Sequence, residues 1–212
     1  MIIQCPIPGR IYVAPAKFNE YKTLRRFHYR PGDPRVPCDV IAAWHQLPGC
    51  PARCVGVAVL AWPTAFHRVR YHALGIADLR AGDRMRFANA NVRTIARVIV
   101  HPTFRGIGLS SRLVRALILR CPTRYIEATA MMARLHPLFD RAGMKRIERP
   151  PPTGNPRDAP NRAPTLAAGG TADSRMTPAF YLFDKWIDRL PVVGSVVSCV
   201  RAEAALAHSN TG

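Results

Sequence analysis

The sequence predicts an α+β domain in which helices pack on a central sheet. Residues 36–45 and 53–62 are rich in apolar and β-branched side chains and flank a Pro-Gly turn, a pattern that predicts a β-hairpin. From residue 92 a strand pattern, a loop with two glycines and an amphipathic helix ending at residue 120 follow one another. A hairpin beside a strand-loop-helix unit indicates one domain that contains both kinds of element.

Composition is typical of a soluble, well-cored domain with a tail or a long insertion, since 48% of the 212 residues are hydrophobic. The longest apolar stretches, residues 55–62 and 191–200, are shorter than the roughly 18 residues that cross a bilayer. The first ten residues lack the pattern of a secretion signal, and the six cysteines are dispersed. We therefore expect a cytoplasmic protein with reduced thiols and no membrane partner.

The formal net charge is +18, and 27 of the 31 basic residues are arginine, the side chain best suited to bidentate phosphate contact. Residues 84–126 contain nine arginines and no Asp or Glu, so this segment should create a positive field wherever it folds. A polyanionic partner, including nucleic acid, explains this composition. An arginine-biased genome explains it equally well, and both interpretations stay open.

The predicted elements begin with a strand at residues 10–14. A helix follows over residues 20–29, with Asn19 as its N-cap and Pro31-Gly32 as its stop. The hairpin strands come next. Residues 64–87 show only partial helical periodicity and predict helix and loop without fixed bounds.

A strand over residues 92–101 ends at Pro102, and an amphipathic helix over residues 109–120 ends at Cys121-Pro122. Residues 125–130 predict another strand. Residues 134–142 predict a helix with Gly143 as its left-handed C-terminal cap.

Residues 144–148 should return to the sheet, which closes a predicted domain over residues 1–149. Residues 150–178 are rich in Pro and Gly and predict a flexible loop or linker. The remaining segment, residues 179–212, begins with an apolar stretch at 179–186 that we expect to pack back as a last strand or helix.

The loop between the strand and the helix contains Gly106 and Gly108 just where the backbone turns into the helix. Glycines there allow successive N–H groups to point at an anion such as a pyrophosphate, and the helix dipole adds a favourable potential. Glycines at such turns are also common for steric reasons alone. A Walker loop and a dinucleotide fingerprint are excluded, because their lysine, third glycine and later acid are missing.

The whole segment, residues 98–110, resembles motif A of the GNAT N-acetyltransferase superfamily: an apolar strand, then V-x-P, then Q/R-x-x-G-x-G/A. Arg105, Gly106 and Gly108 match, whereas Thr103 stands where the family has Gln or Arg. Residues 137–144 are similar to the family's motif B, and the likeness covers roughly residues 10–148. The variant motifs are also similar to a related subgroup that includes the phage Mom DNA-modification proteins.

The resemblance implies a mixed, mostly antiparallel central sheet flanked by helices in three layers. It also implies an acyl-CoA donor, by default acetyl-CoA. The implied donor-binding residues supply backbone groups to the pantetheine arm and bind the pyrophosphate; they are Val98, Ile99, Val100, Arg105, Gly106, Ile107, Gly108, Leu109 and Ser110.

Catalytic residues are harder to assign, because Phe139 occupies the motif B position where many of these enzymes have a tyrosine acid. Glu127 is a candidate general base on the strand beside the donor, although it would equally well pair with an arginine. His28 and Tyr29 are a second candidate pair at the end of the first helix, and Tyr29 could replace the missing acid. A packed or half-exposed role is the alternative for both.

No metal site is expected, because Cys50 and Cys54 with His45 have loose spacing and lack a defined fourth ligand. Three functions stay open. The chain is an N-acyltransferase acting on an amine of a protein or small molecule, a Mom-like enzyme that modifies adenine in DNA, or a noncatalytic basic module that binds nucleic acid. The acceptor is not identified by the sequence.

Overall fold

A computed structural model describes residues 9–133, 135–148 and 178–188. This part of the chain contains a seven-stranded sheet in the order β1-β2-β3-β4-β5-β7-β6. All neighbouring strands are antiparallel except β4 and β5, which are parallel. The predicted fold class, a mixed and mostly antiparallel sheet flanked by helices, is confirmed. The strands are β1 (Arg10–Pro15), β2 (Pro37–Gln46), β3 (Arg53–Ala61), β4 (Val92–Val100), β5 (Tyr125–Ala130), β6 (Lys145–Ile147) and β7 (Ala179–Asp184).

The helices lie in the connections between these strands. None of those in the described ranges is long and apolar enough to span a bilayer. They are α1 (Phe18–Leu24), which continues into a 3-10 turn (Arg25–Phe27), α2 (Arg68–Ala73), α3 (Ala81–Asn91), α4 (Leu109–Arg120) and α5 (Leu138–Arg141).

Helix α4 covers one face of the sheet. Leu113 and Leu117 on this helix are fully buried and belong to one cluster with Ala58 and Leu60 of β3. The helix approaches β3 closely at Gly56, where an added Cβ atom would lie 3.1 Å from the Leu113 Cδ1 atom. This close approach fixes the start of α4 against the middle of the sheet.

Helix α1 covers the opposite face. The fully buried Tyr21 packs with Val57, Val59 and Ile99, and its hydroxyl donates a hydrogen bond to the Gly32 carbonyl at 3.0 Å. The Tyr21 ring therefore anchors the segment that follows α1 beside strand β4.

Several predicted bounds need correction. Helix α1 begins after Lys17, which makes no side-chain cap bond, so the Asn19 cap is wrong. The helix is also shorter than predicted because the chain tightens into the 3-10 turn at Arg25. Helix α5 is a single turn from Leu138, and Gly143 follows it with the expected positive φ of 92°.

The ambiguous region at residues 64–87 contains α2 and the start of α3. The apolar segment that begins at residue 179 forms strand β7, which lies between β5 and β6. The predicted linker up to residue 177 and the end of the chain from residue 189 lie outside the described residues, so the division into three parts stays a prediction.

Candidate active site

A cleft opens where the two parallel strands separate. The paired register of β4 and β5 ends at Ile95 and Ala128, whereas β4 continues to Val100 and β5 to Ala130. Residues from both separated ends line a cavity of about 550 Å³, which we call the β4–β5 cavity. Backbone groups on the β5 side of β4 are therefore available to a ligand within this cavity.

Two glycines with left-handed backbone angles lie in the turn into α4, with φ 84° at Gly106 and φ 78° at Gly108. Gly108 is the residue directly before α4, so its conformation turns the chain into the helix. Side chains other than glycine adopt this region at a cost of about 1–2 kcal/mol. The free N–H groups of the first helical turn lie beside these glycines and favour an anion.

The structure brings the predicted donor-binding residues together around this cavity with one exception. Ile107 is 38% exposed and does not line it. The residues of the set that line the cavity are Val98, Ile99, Val100, Arg105, Gly106, Gly108, Leu109 and Ser110.

His28 and Tyr29 line the side of the cavity that follows α1. Their rings stack with centroids 4.6 Å apart, and Tyr29 is 59% exposed. The pKa of His28 is lowered by burial and, to a smaller extent, by the positive charges of Arg97 and Arg30. The imidazole is therefore neutral near pH 7.

The His28 Nδ1 atom lies 3.1 Å from both the backbone nitrogen and the carbonyl oxygen of Arg30. The two contacts belong to different tautomers. In one, the Arg30 backbone N–H donates to Nδ1 and the ring proton is on Nε2; in the other, Nδ1–H donates to the Arg30 carbonyl and Nε2 carries the lone pair that a general base requires.

Glu127 does not line the β4–β5 cavity, and its interpretation as a general base stays a prediction. Its carboxylate, 3% exposed, accepts two hydrogen bonds from the fully buried Arg70 at 2.6 and 2.7 Å. The Thr94 hydroxyl donates a third bond at 2.7 Å, and Arg70 also donates to the Thr64 carbonyl. The alternative interpretation holds: Glu127 joins α2, β4 and β5 as half of a buried ion pair.

Phe139 lines the cavity, and its ring lies 5.3 Å from that of Tyr181. Tyr181 does not replace the missing acid, because its hydroxyl donates to Asp140 at 2.8 Å and is not part of the lining. Burial and that hydrogen bond raise the pKa of Tyr181 to about 12. The sequence interpretation missed His136, which lines the cavity; its position beside Pro137 at the start of motif B was the available signal.

The charged side chains that line the cavity, among the described residues, are basic. Among its described lining residues there are four arginines, Arg30, Arg97, Arg105 and Arg141, and no Asp or Glu. Arg105 donates to the carbonyls of Val100 and Phe27, which ties the glycine loop to the end of the 3-10 turn.

Arg97 donates to the carbonyls of Ala96 at 2.9 Å and Gly32 at 3.5 Å. In the described part of the chain no carboxylate forms an ion pair with any of the four cavity arginines. No group of three or more His, Cys, Asp or Glu among the described residues is placed to hold a metal ion.

No family model and no curated protein sequence matches the chain. Three solved structures that align with it are described as a putative acetyltransferase from Acinetobacter baylyi ADP1, polyamine N-acetyltransferase of Drosophila melanogaster, and a GNAT family acetyltransferase from Elizabethkingia anophelis with acetyl-CoA bound. Sequence identities are 14%, 15% and 10%, and TM-scores 0.49, 0.47 and 0.46.

The aligned regions cover 83%, 82% and 82% of this chain and 93%, 100% and 97% of those chains, in the same order. Identities and TM-scores this low carry no inference about the activity of this chain.

Proposed function

We propose that this chain is an acyl-CoA-dependent N-acyltransferase of the GNAT type, which transfers an acyl group directly from acetyl-CoA or a related donor to an amine. The observation that carries the proposal is the continuity of the β4–β5 cavity with the two left-handed glycines before α4. An extended thioester arm with a pyrophosphate at one end has the shape and charge that this arrangement accepts.

The donor would lie along the separated end of β4. Peptide groups of Val98 to Val100 that face away from β3 can bond the amides of the pantetheine arm. A Cβ atom built on Gly106 or Gly108 would meet no other atom within 4 Å, so the space in front of both glycines is open to a phosphate. The N–H groups at the start of α4 and the guanidinium of Arg105 supply the charge complement.

The chemistry that the residues support is direct attack of the amine nitrogen on the thioester carbonyl. An N–C bond forms, the C–S bond breaks, and its electron pair leaves with sulfur as the CoA thiolate. The proton lost by the amine passes to the Nε2 atom of neutral His28 and from there, through solvent, to the thiolate. Tyr29 is the alternative proton donor on the same wall of the cavity.

Calorimetric titration of the purified protein with CoA tests donor binding. We expect dissociation in the micromolar range. Arg105→Gln should weaken binding about 10-fold, because it removes a charge-assisted bond to phosphate. Arg86→Gln is the matched control, since Arg86 is highly exposed in α3 and pairs only locally with Asp83. Wild-type protein that binds no CoA at millimolar concentration would rule the proposal out.

A second candidate function is Mom-like modification of adenine in DNA, and the observation that favours it is the acid-free, arginine-lined cavity together with the net charge of +18. DNA from expressing cells should then contain mass-shifted adenine nucleosides, and unmodified nucleosides would exclude this candidate. DNA binding that weakens steeply with salt, in protein that neither binds CoA nor releases thiol, would instead support a noncatalytic module.

A further inference from the structure

We infer that the Thr129 hydroxyl donates a hydrogen bond to the thioester carbonyl of the bound acyl donor, and that His67 holds this hydroxyl in position. The inference rests on the proposed acyltransferase function and adds a residue that touches the reacting group. Neither residue belongs to the donor-binding segment at residues 98–110. Thr129 lies on β5 and lines the β4–β5 cavity.

Thr129 lies where β4 and β5 begin to separate, which we call the strand junction. The paired register ends at Ile95 and Ala128, so Thr129 is the first residue of β5 beyond it. On β4 the register with β3 shifts between Ile95 and Arg97, which leaves Ala96 as an extra residue. An extra residue bends a strand and increases its twist, which accounts for the separation at this point. Ala96 and Thr129 both line the cavity at this junction.

The thioester of a bound donor would lie at the strand junction. The open space for a pyrophosphate at Gly106 and Gly108 lies beyond Val100, the last residue of β4. An arm that runs back along β4 from Val100 to Ala96 covers about 13 Å, at roughly 3.3 Å per residue. The acyl group at the end of such an arm meets the junction, where Thr129 is the neighbouring residue of β5.

The hydrogen bonds of His67 determine what the Thr129 hydroxyl can do. The His67 Nδ1 atom accepts a bond from the Arg70 backbone N–H at 3.3 Å and so caps α2. An imidazole whose Nδ1 accepts a bond carries its ring proton on Nε2. The Nε2 atom lies 3.5 Å from Thr129 Oγ1, so the ring N–H donates to the hydroxyl oxygen. Among the described residues this hydroxyl has no further partner, and its own proton is left for a ligand.

The ring of His67 is itself held by packing. Its centroid lies 4.7 Å from that of the Phe180 ring on β7. Phe180 is buried, and it is the cross-strand partner of Thr129 in the antiparallel pair of β5 and β7. His67 therefore packs against the direct neighbour of the residue that it orients. A hydroxyl supported in this way is preorganised for a ligand.

The reaction gives such a donor a use. As the amine attacks, the thioester carbonyl oxygen gains negative charge, and a hydrogen-bond donor placed at this oxygen stabilises that charge. Among the described lining residues of β4 and β5, Thr129 is the one uncharged side chain with a proton to donate. Arg97 is the other donor side chain, and its guanidinium donates to the backbone carbonyls of Ala96 and Gly32. Thr129 is therefore the residue of these strands that is available to the carbonyl.

Infrared difference spectra of bound acetyl-CoA test this contact, because a hydrogen bond lowers the stretching frequency of a carbonyl group. The difference between ligand labelled with ¹³C at the thioester carbonyl and unlabelled ligand isolates this band from the protein amide bands. With the full-length protein, we expect the band at a lower frequency in wild type than in Thr129→Val. Thr129→Ser keeps the hydroxyl and should retain the wild-type frequency. Valine is β-branched and suits a strand, so Thr129→Val should fold.

Calorimetry with two ligands separates a contact to the carbonyl from general damage to the site. Free CoA has no thioester carbonyl, so Thr129→Val should weaken acetyl-CoA binding about 5-fold and leave CoA binding unchanged. His67→Asn keeps an N-cap residue for α2 but is too short to reach Thr129, and it should weaken acetyl-CoA binding about 2-fold. His72→Ala, at an exposed position of the same helix, is the matched control and should change neither ligand.

Three results would overturn the inference. A carbonyl band at the same frequency in wild type and Thr129→Val would remove the contact, and equal loss of acetyl-CoA and CoA binding would make Thr129 merely structural. Wild-type values for His67→Asn in both measurements would remove His67 as a positioning residue. In all three, wild-type protein still binds the donor, so the proposed function stands. Wild-type protein that binds neither ligand would defeat the proposed function and the inference with it.

Discussion

Replacing Glu127 with glutamine should destabilise the fold strongly. Arg70 is fully buried and Glu127 is 3% exposed, and the guanidinium donates two bonds to the carboxylate. Glu127→Gln leaves the buried guanidinium charge without compensation, a change that costs about 3–5 kcal/mol. At about 2–4 °C per kcal/mol for a domain of this size, the melting temperature should fall on the order of 10 °C.

Thermal unfolding followed by circular dichroism measures this change. Asp33→Asn is the matched control, because its pair with Arg25 is exposed on both sides and is worth under about 1 kcal/mol. The double variant Arg70→Met with Glu127→Leu removes both charges and should be more stable than Glu127→Gln. A fall below about 2 °C for Glu127→Gln would contradict the burial argument. Normal melting with loss of thiol release would restore Glu127 as a base.

Four further substitutions test three glycines and His28. Gly108→Ala should cost about 1–2 kcal/mol through its positive φ and weaken CoA binding measured by calorimetry, whereas Gly82→Ala in α3, where a Cβ meets open space, should gain about 0.4–1 kcal/mol. Gly56→Val should cost about 1–3 kcal/mol in denaturant unfolding, because its side chain would press on Leu113 of α4. Burial lowers the pKa of His28 from 6.5, so the acidic limb of the kcat/KM profile should have its midpoint below pH 6.5. His28→Gln should remove that acidic limb, and an acidic limb with its midpoint above pH 6.5 would argue against the assignment.

The strand-loop-helix segment that lines the cavity could be predicted closely from the sequence because its signals are local. Helix α4 and strand β5 begin and end at the predicted residues, since a Cys-Pro stop and a short apolar run delimit them. Gly106 and Gly108 have the positive φ that a turn into a helix demands. These features depend on residues that are neighbours in the sequence, so a local sequence pattern is enough to predict them.

The role of Glu127 depends on a partner far away in the chain. Arg70 lies 57 residues from Glu127, in a region whose periodicity predicted no definite element. Without that partner, a lone carboxylate on the strand beside the donor is indistinguishable from a general base. Burial and pairing decide between the two roles, and neither is encoded in local spacing.

The arginines fall into two groups according to whether their guanidinium groups form ion pairs. Five of the six ion pairs among the described residues use arginine, and these pairs lie outside the β4–β5 cavity. No described carboxylate pairs with the cavity arginines, so any anion that enters the cavity meets the field of several guanidinium groups. Salt should therefore weaken the binding of anionic ligands, because mobile ions screen charges over a Debye length of about 8 Å at physiological ionic strength.

Substitution of single arginines distinguishes their individual contributions to ligand binding. A change of salt concentration affects all of them together. Arg105 holds the glycine loop, so its replacement should change donor binding, whereas Arg97 lies against the segment after α1 and its replacement should change donor binding less. If both variants altered the KM of acetyl-CoA equally, the cavity would be a single anion site for the donor. If only Arg105→Gln did so, the donor would bind at the glycine loop and the Arg97 guanidinium would lie outside the donor site.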